Sequence, residues 1–256
     1  MRGADEIVPG TERQSAIISH AIGIPELARL LDVVPVGAGF DDYERAAVEE
    51  NVLGMATATG REKRLASLRR LYLLRPDALL FRALRDLWPD EVDARPLLAA
   101  LCALATDTVF RASASLIIDS SPGDEATVAE FEQVIDAAYP GAYARSTLTK
   151  AASNAYASWQ QSGHLGAPEG GRKLRQRAVC GPADVAYALL LGHLQGHRGE
   201  AVFDTLWTQV LDQPRSQLYE LAFAASQRGM LEFRNAGGVV EVGFRELLRP
   251  LDGELL

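Results

Sequence analysis

Four basic side chains fall within Arg172-Lys173-Leu174-Arg175-Gln176-Arg177, directly after Gly170-Gly171. In an extended chain alternate side chains share a side, so Lys173, Arg175 and Arg177 would form one basic row able to meet phosphates. Just before this stretch, residues 146–161 separate by face when wound into a helix. Leu148, Ala152, Ala155 and Trp159 make an apolar stripe, with Ala151 and Tyr156 beside it. The other side presents Ser146, Thr147, Lys150, Ser153, Asn154, Ala157 and Gln161. That face holds no acid, one cation and several small hydroxyls and amides. It can come close to a phosphate backbone and offer donors and acceptors to base edges in a major groove. A polar helix followed by a basic wing is a common grip on a duplex. The bland counterpart is an ordinary solvated helix next to a basic hairpin.

The formal net charge of −8 argues at first sight against nucleic acid. The distribution says more than the sum. Residues 57–85 carry eight basic and two acidic side chains, and residues 141–177 carry six and one. Two basic islands therefore stand in an acidic chain. In the first island a helix over 59–75, opened by a Thr59/Glu62 capping box, would bury Leu65, Leu68 and Tyr72 and leave Lys63, Ser67 and Arg70 on the opposite face.

The residues that could support catalysis are not arranged for it. His193 and His197 stand four apart, but no Glu follows the first His as in a zinc protease, and Gly192 and Gly196 weaken that helix end. Gly37-Ala38-Gly39 lacks the preceding strand and third glycine of a dinucleotide loop. No P-loop and no serine in a nucleophile elbow occur. Glu49-Glu50 and Asp41-Asp42 read as helix caps or solvated faces. The expectation is a non-enzymatic protein without metal, cofactor or small-molecule substrate.

The elements that would carry these residues are mostly helical. Of the chain's 256 residues 48% are hydrophobic and 23% charged, too apolar for disorder, and Ala and Leu dominate over β-branched runs. Residues 1–14 read as a disordered leader; Asp5, Glu6, Pro9 and Glu12 rule out the basic-then-apolar opening of a signal peptide. An N-terminal helical bundle over 15–121 would contain helices at 26–33, 41–53, 59–75, 77–88 and 97–105, the last continuing in some form through 109–118. The stretch Ser120-Ser121-Pro122-Gly123-Asp124 reads as a linker. A helix-plus-wing module over 122–180 follows, with short strands at Leu165 and 174–178 around a glycine-rich tip. A second module over 181–256, of three helices and a hairpin, has the order of a winged helix. Cys102 sits in an apolar run and reads as a core residue; a reducing, cytoplasmic setting fits two cysteines. No apolar stretch is long enough to span a bilayer.

The run Tyr43-Glu44-Arg45-Ala46-Ala47-Val48-Glu49-Glu50-Asn51-Val52-Leu53 with residues 57–75 resembles the BrxA family of BREX (bacteriophage exclusion) systems. Arg95-Pro96-Leu97-Leu98-Ala99, the helix over 146–161 ending in Gly163-His164-Leu165, and Arg228-Gly229-Met230-Leu231-Glu232-Phe233 before 237–242 follow the same pattern. The similarity spans roughly residues 15–245 as a diffuse helical pattern. It implies an N-terminal part similar to antitermination-factor bundles and a role beside the methyltransferase, ATPase and phosphatase-like proteins of such a system. It also implies double-stranded DNA binding with little sequence preference, and it carries over no catalytic residue. The acidic balance departs from what a DNA binder usually shows.

These readings combine into one expected DNA surface. Lys63, Arg70, Lys150, Arg172, Lys173, Arg175 and Arg177 would neutralise phosphates, while Thr147, Ser153 and Asn154 make close contacts in the groove. The alternative is an adaptor for other defence proteins, using Tyr219 and Phe223 with Trp207 nearby. A sequence-specific regulator would need a symmetric dimer, for which the sequence shows no helix. The two main readings differ in whether the basic islands converge once folded.

Overall fold

The computed structural model describes residues 3–10, 15–167 and 172–250. Two helices that are apolar all round form its centre, as that pattern requires. In α5 (Arg95–Thr106) every residue from Leu97 on is buried, and in α10 (Pro182–Leu194) every residue but His193. The two pack against each other. Around α5 lie α1 (Ile24–Val33), α3 (Ala58–Tyr72) and α4 (Leu79–Leu87), while α11 (Leu206–Val210) and α12 (Arg215–Gln227) lie on α10. Helix α2 (Phe40–Glu44) precedes α3. Helices α6 (Thr108–Ala112) and α7 (Ala114–Asp119) lead to the paired helices α8 (Val128–Ala138) and α9 (Arg145–Gln161). The protein is mostly helical, with two small antiparallel sheets. In one, β1 (Glu125–Ala126) pairs with β2 (Lys173–Leu174); in the other, β3 (Glu232–Ala236) pairs with β4 (Val239–Gly243).

Several expectations are corrected. The leader is not free across residues 3–10: Ile7 is buried, and the two Glu6 carboxylate oxygens accept the Leu79 and Leu80 N–H groups at 2.8 Å each, capping α4. The capping residue of α3 is Thr57, whose hydroxyl accepts the Gly60 N–H, and not Thr59. The helix expected over 41–53 passes into a π-helical turn at Arg45–Glu49 and ends at Asn51, whose φ is 55°. The helix expected over 97–105, continuing in some form through 109–118, turns at Asp107, where the segments 95–106 and 108–119 meet at 107°. The supposed linker leads directly into β1 and is itself tied to the basic segment, the Gly123 N–H donating to the Arg175 carbonyl and the Arg175 N–H to the Asp124 carbonyl. Apolar side chains from Ile7 to Leu247 form one hydrophobic core, shared by all three expected segments. Among the described residues no single helix is long and apolar enough to cross a membrane.

Candidate nucleic-acid interface

Between α3 and α9 runs a loop, residues 15–23, that the polar residues of both helices hold in place. Asp107 anchors its start: one carboxylate oxygen accepts the Ala16 and Ile17 N–H groups at 2.6 and 3.2 Å, and the other accepts the Ser15 hydroxyl. That second oxygen also accepts the Phe110 N–H and so caps α6. From α9, Asn154 donates to the Ile17 carbonyl, and Ser158 Oγ accepts the Ile22 N–H. Gln161 accepts the Gly23 and Ile24 N–H groups and so serves the first turn of α1. From α3, Arg70 donates to the Ser15 carbonyl, Arg64 to Ala21 and Tyr72 to Ile22. A loop held this way presents its side chains in fixed positions.

The result is a cleft of about 640 Å³ lined by Lys63, Ala66, Ser67 and Arg70 of α3, Lys150 of α9, and Ser15, Ala16, Ser19 and His20 of the loop. The spacing explains the α3 contribution: 63, 66, 67 and 70 follow i, i+3, i+4, i+7 along one helix face. Lys63 and Lys150 are exposed and pair with no carboxylate among the described residues. Arg70 is exposed, with its hydrogen bond going to a carbonyl. Three cations from the two basic islands thus meet at one concavity. His20 reports the field there: burial, Arg64 and Lys150 hold its imidazole below the ordinary histidine range, and only the Glu26 carboxylate opposes them. Two polar atoms of the wall, His20 Nδ1 and Ser67 Oγ, are buried without a hydrogen-bond partner.

The basic wing does not join this cleft. Its alternation is as expected, but the orientation is reversed: Lys173 and Arg175 face inward and Leu174 faces out, 43% exposed. The cause is that the segment is an inner strand. Glu125–Ala126 pairs with it on one edge, and Leu165 bridges to Arg175 on the other. Lys173 lies over the Tyr156 ring, 3.8 Å from its centre, and donates to the Tyr156 carbonyl. Arg175 donates to the carbonyls of Ile117 and Gln176 and pairs with Asp212 at 3.1 Å. Neither can neutralise a phosphate. Arg172 and Arg177 remain exposed but are paired, with Glu125 at 3.0 Å and Asp212 at 3.6 Å. The glycine-rich tip at 168–171 lies outside the described residues. Arg175→Ala is accordingly expected to cost about 3 kcal/mol of stability, since it strands buried carbonyls and Asp212. Urea unfolding would show the loss, while the folded variant's DNA affinity stays at the wild-type value.

Of the α9 residues expected in a groove, Ser153 is exposed with its hydroxyl turned back to the Thr149 carbonyl, and Thr147 is half-buried one turn before Lys150. Asn154 is committed to the Ile17 carbonyl and positions the loop instead of meeting a base. His20 was not legible in the sequence, because it belongs to no motif and comes to the cleft only through the loop's path. Ser67 was placed on the cationic face of α3, yet it is only 8% exposed.

Helix α10 ends at Leu194, so His193 packs on the Phe244 ring while His197 lies beyond the helix. Among the described residues no group of three or more His, Cys, Asp or Glu side chains could hold a metal. Trp207, expected near an adaptor surface, is buried and donates its indole N–H to Gln195. No protein-family model matches the chain, and no curated protein matches it significantly.

Proposed function

We propose that this chain is a non-enzymatic, double-stranded DNA-binding protein with little sequence preference, acting in phage defence as its resemblance to the BrxA family implies. The observation that carries the reading is the convergence of Lys63, Arg70 and Lys150 on one cleft. Phosphate contact by cations gives affinity without reading sequence. Small neighbours, Ala16, Ala66 and Ser19, let a backbone come close. The overall acidity repels DNA elsewhere and confines contact to this face. The three-helix-and-hairpin order of α10, α11, α12, β3 and β4 is winged-helix-like on this reading, and it serves packing.

The test is titration of a labelled duplex of about 30 base pairs at two salt concentrations. Three neutralised phosphates correspond to a log–log salt slope near −3, so affinity falls about 40-fold between 50 and 200 mM salt. No binding at the lower salt would remove the reading. Attention would then pass to an adaptor role, which is favoured by one observation: Phe223 is 56% exposed, one helical turn from Tyr219.

A further inference from the structure

Among the titratable groups that line the cleft, His20 is the one that the DNA reading has not used. It stands on the loop that Asp107, Asn154, Ser158 and Arg64 hold, so its backbone cannot carry it away from the cations. The side chain lines the cleft with Lys63, Arg70 and Lys150. Its Nδ1 lies in the wall without a partner, which leaves Nε2 as the nitrogen open to the cleft. Ser67 Oγ, in the same wall, is likewise unpartnered on a residue only 8% exposed. Buried polar atoms without partners are uncommon and call for an explanation. Three cations beside the open Nε2 make this concavity suited to an anion.

We propose that His20 is a fourth phosphate-contacting residue of this cleft: its neutral ring carries its hydrogen on Nδ1, and Nε2 takes up a proton from solvent and donates it to a DNA phosphate. This rests on the DNA reading and adds a proton to it. In the free protein the groups facing the imidazole are Arg64 and Lys63 of α3, Lys150 of α9 and Glu26 of α1. Three are positive, and with burial they disfavour the imidazolium. A phosphate seated among the same cations reverses the balance: it neutralises them and places a negative charge at the ring. Affinity and His20 protonation are then linked, and each strengthens the other. A phosphodiester stays singly charged throughout, so the ligand contributes no titration of its own near neutrality.

The experiment measures duplex affinity at pH 7.5 and 6.0 for the full chain and for His20→Gln at constant low salt, and follows the imidazole C–H resonances of the wild type with and without duplex. His20→Gln keeps a polar side chain of similar reach, and its missing resonance assigns the signal among the four histidines. Expected is a gain in wild-type affinity of about tenfold on lowering the pH, bounded by the uptake of one proton. The variant should stay nearly flat, and the His20 titration should move to higher pH when duplex is added. Equal pH dependence in the two proteins would overturn the role of His20 while leaving DNA binding intact. An unmoved His20 resonance in a protein that binds duplex would do the same. Failure of both proteins to bind at either pH would instead overturn the DNA reading, and this inference with it.

Discussion

Replacing Lys63 and Lys150 together by Glu is expected to weaken duplex binding about 100-fold at 50 mM salt, and to flatten its salt dependence. Both lysines are exposed and line the cleft from different helices. The double reversal removes two of three phosphate-neutralising charges and sets two anions against the backbone. The lysines are exposed, so the effect is screened and shrinks at high salt. Folding should be unaffected, because neither lysine has an ion-pair partner among the described residues, and the melting temperature is the control. Arg172→Glu with Arg177→Glu makes the matched comparison, since both arginines lie outside the cleft and are already paired with carboxylates. Affinities of the two double variants within threefold of each other would remove the cleft as the binding surface.

The second large effect concerns acid. His164 is fully buried between α9 and α11, with Ser162 Oγ 2.8 Å from Nδ1 and the Val210 carbonyl 2.9 Å from Nε2. A carbonyl only accepts, so Nε2 carries the proton; Ser162 Oγ stands beside Nδ1 and also donates to the Trp159 carbonyl. The Trp159 ring meets the imidazole edge-on at 5.0 Å. Burial, helped by the charge of Arg175 and opposed by the Val210 carbonyl, lowers its pKa to about 4.

The unfolded chain takes up this proton near pH 6.5 and the folded chain resists it, so the stabilisation is present above pH 6.5 and is lost as pH falls toward 4. The loss approaches about 3 kcal/mol, a sizeable share of a domain's stability. Asp107 and Asp184 are buried carboxyls shifted upward, and they oppose this trend in the wild type. The useful measurement is therefore a difference. Urea unfolding of wild type and His164→Asn should show the wild type's advantage shrinking by about 2–3 kcal/mol between pH 7.5 and pH 4.5. A constant gap would mean that the imidazole is protonated in the folded protein.

Much of the architecture was readable locally. The apolar run of α5 announced a buried helix, and the stripe Leu148, Ala152, Ala155 and Trp159 of α9 is buried as its spacing required. The face of α3 bearing Lys63 and Arg70 was also apparent, because helical periodicity depends on neighbours three and four residues away. Period two in residues 172–177 was legible as well, but not which side faces in. That depended on β1, nearly fifty residues upstream, covering one edge, and on Tyr156 and Asp212 offering a ring and a carboxylate.

Composition and periodicity determined a helical protein with two basic islands. Tertiary structure decided which cations are available. Arg64, Arg85, Lys173 and Arg175 are buried against Glu26, helix-end carbonyls, an aromatic ring and Asp212. Lys63, Arg70 and Lys150 remain open around a loop that no local pattern placed. The physical reason is that a side chain's charge is written in the sequence, whereas its desolvation and its partners arise only when distant segments pack together.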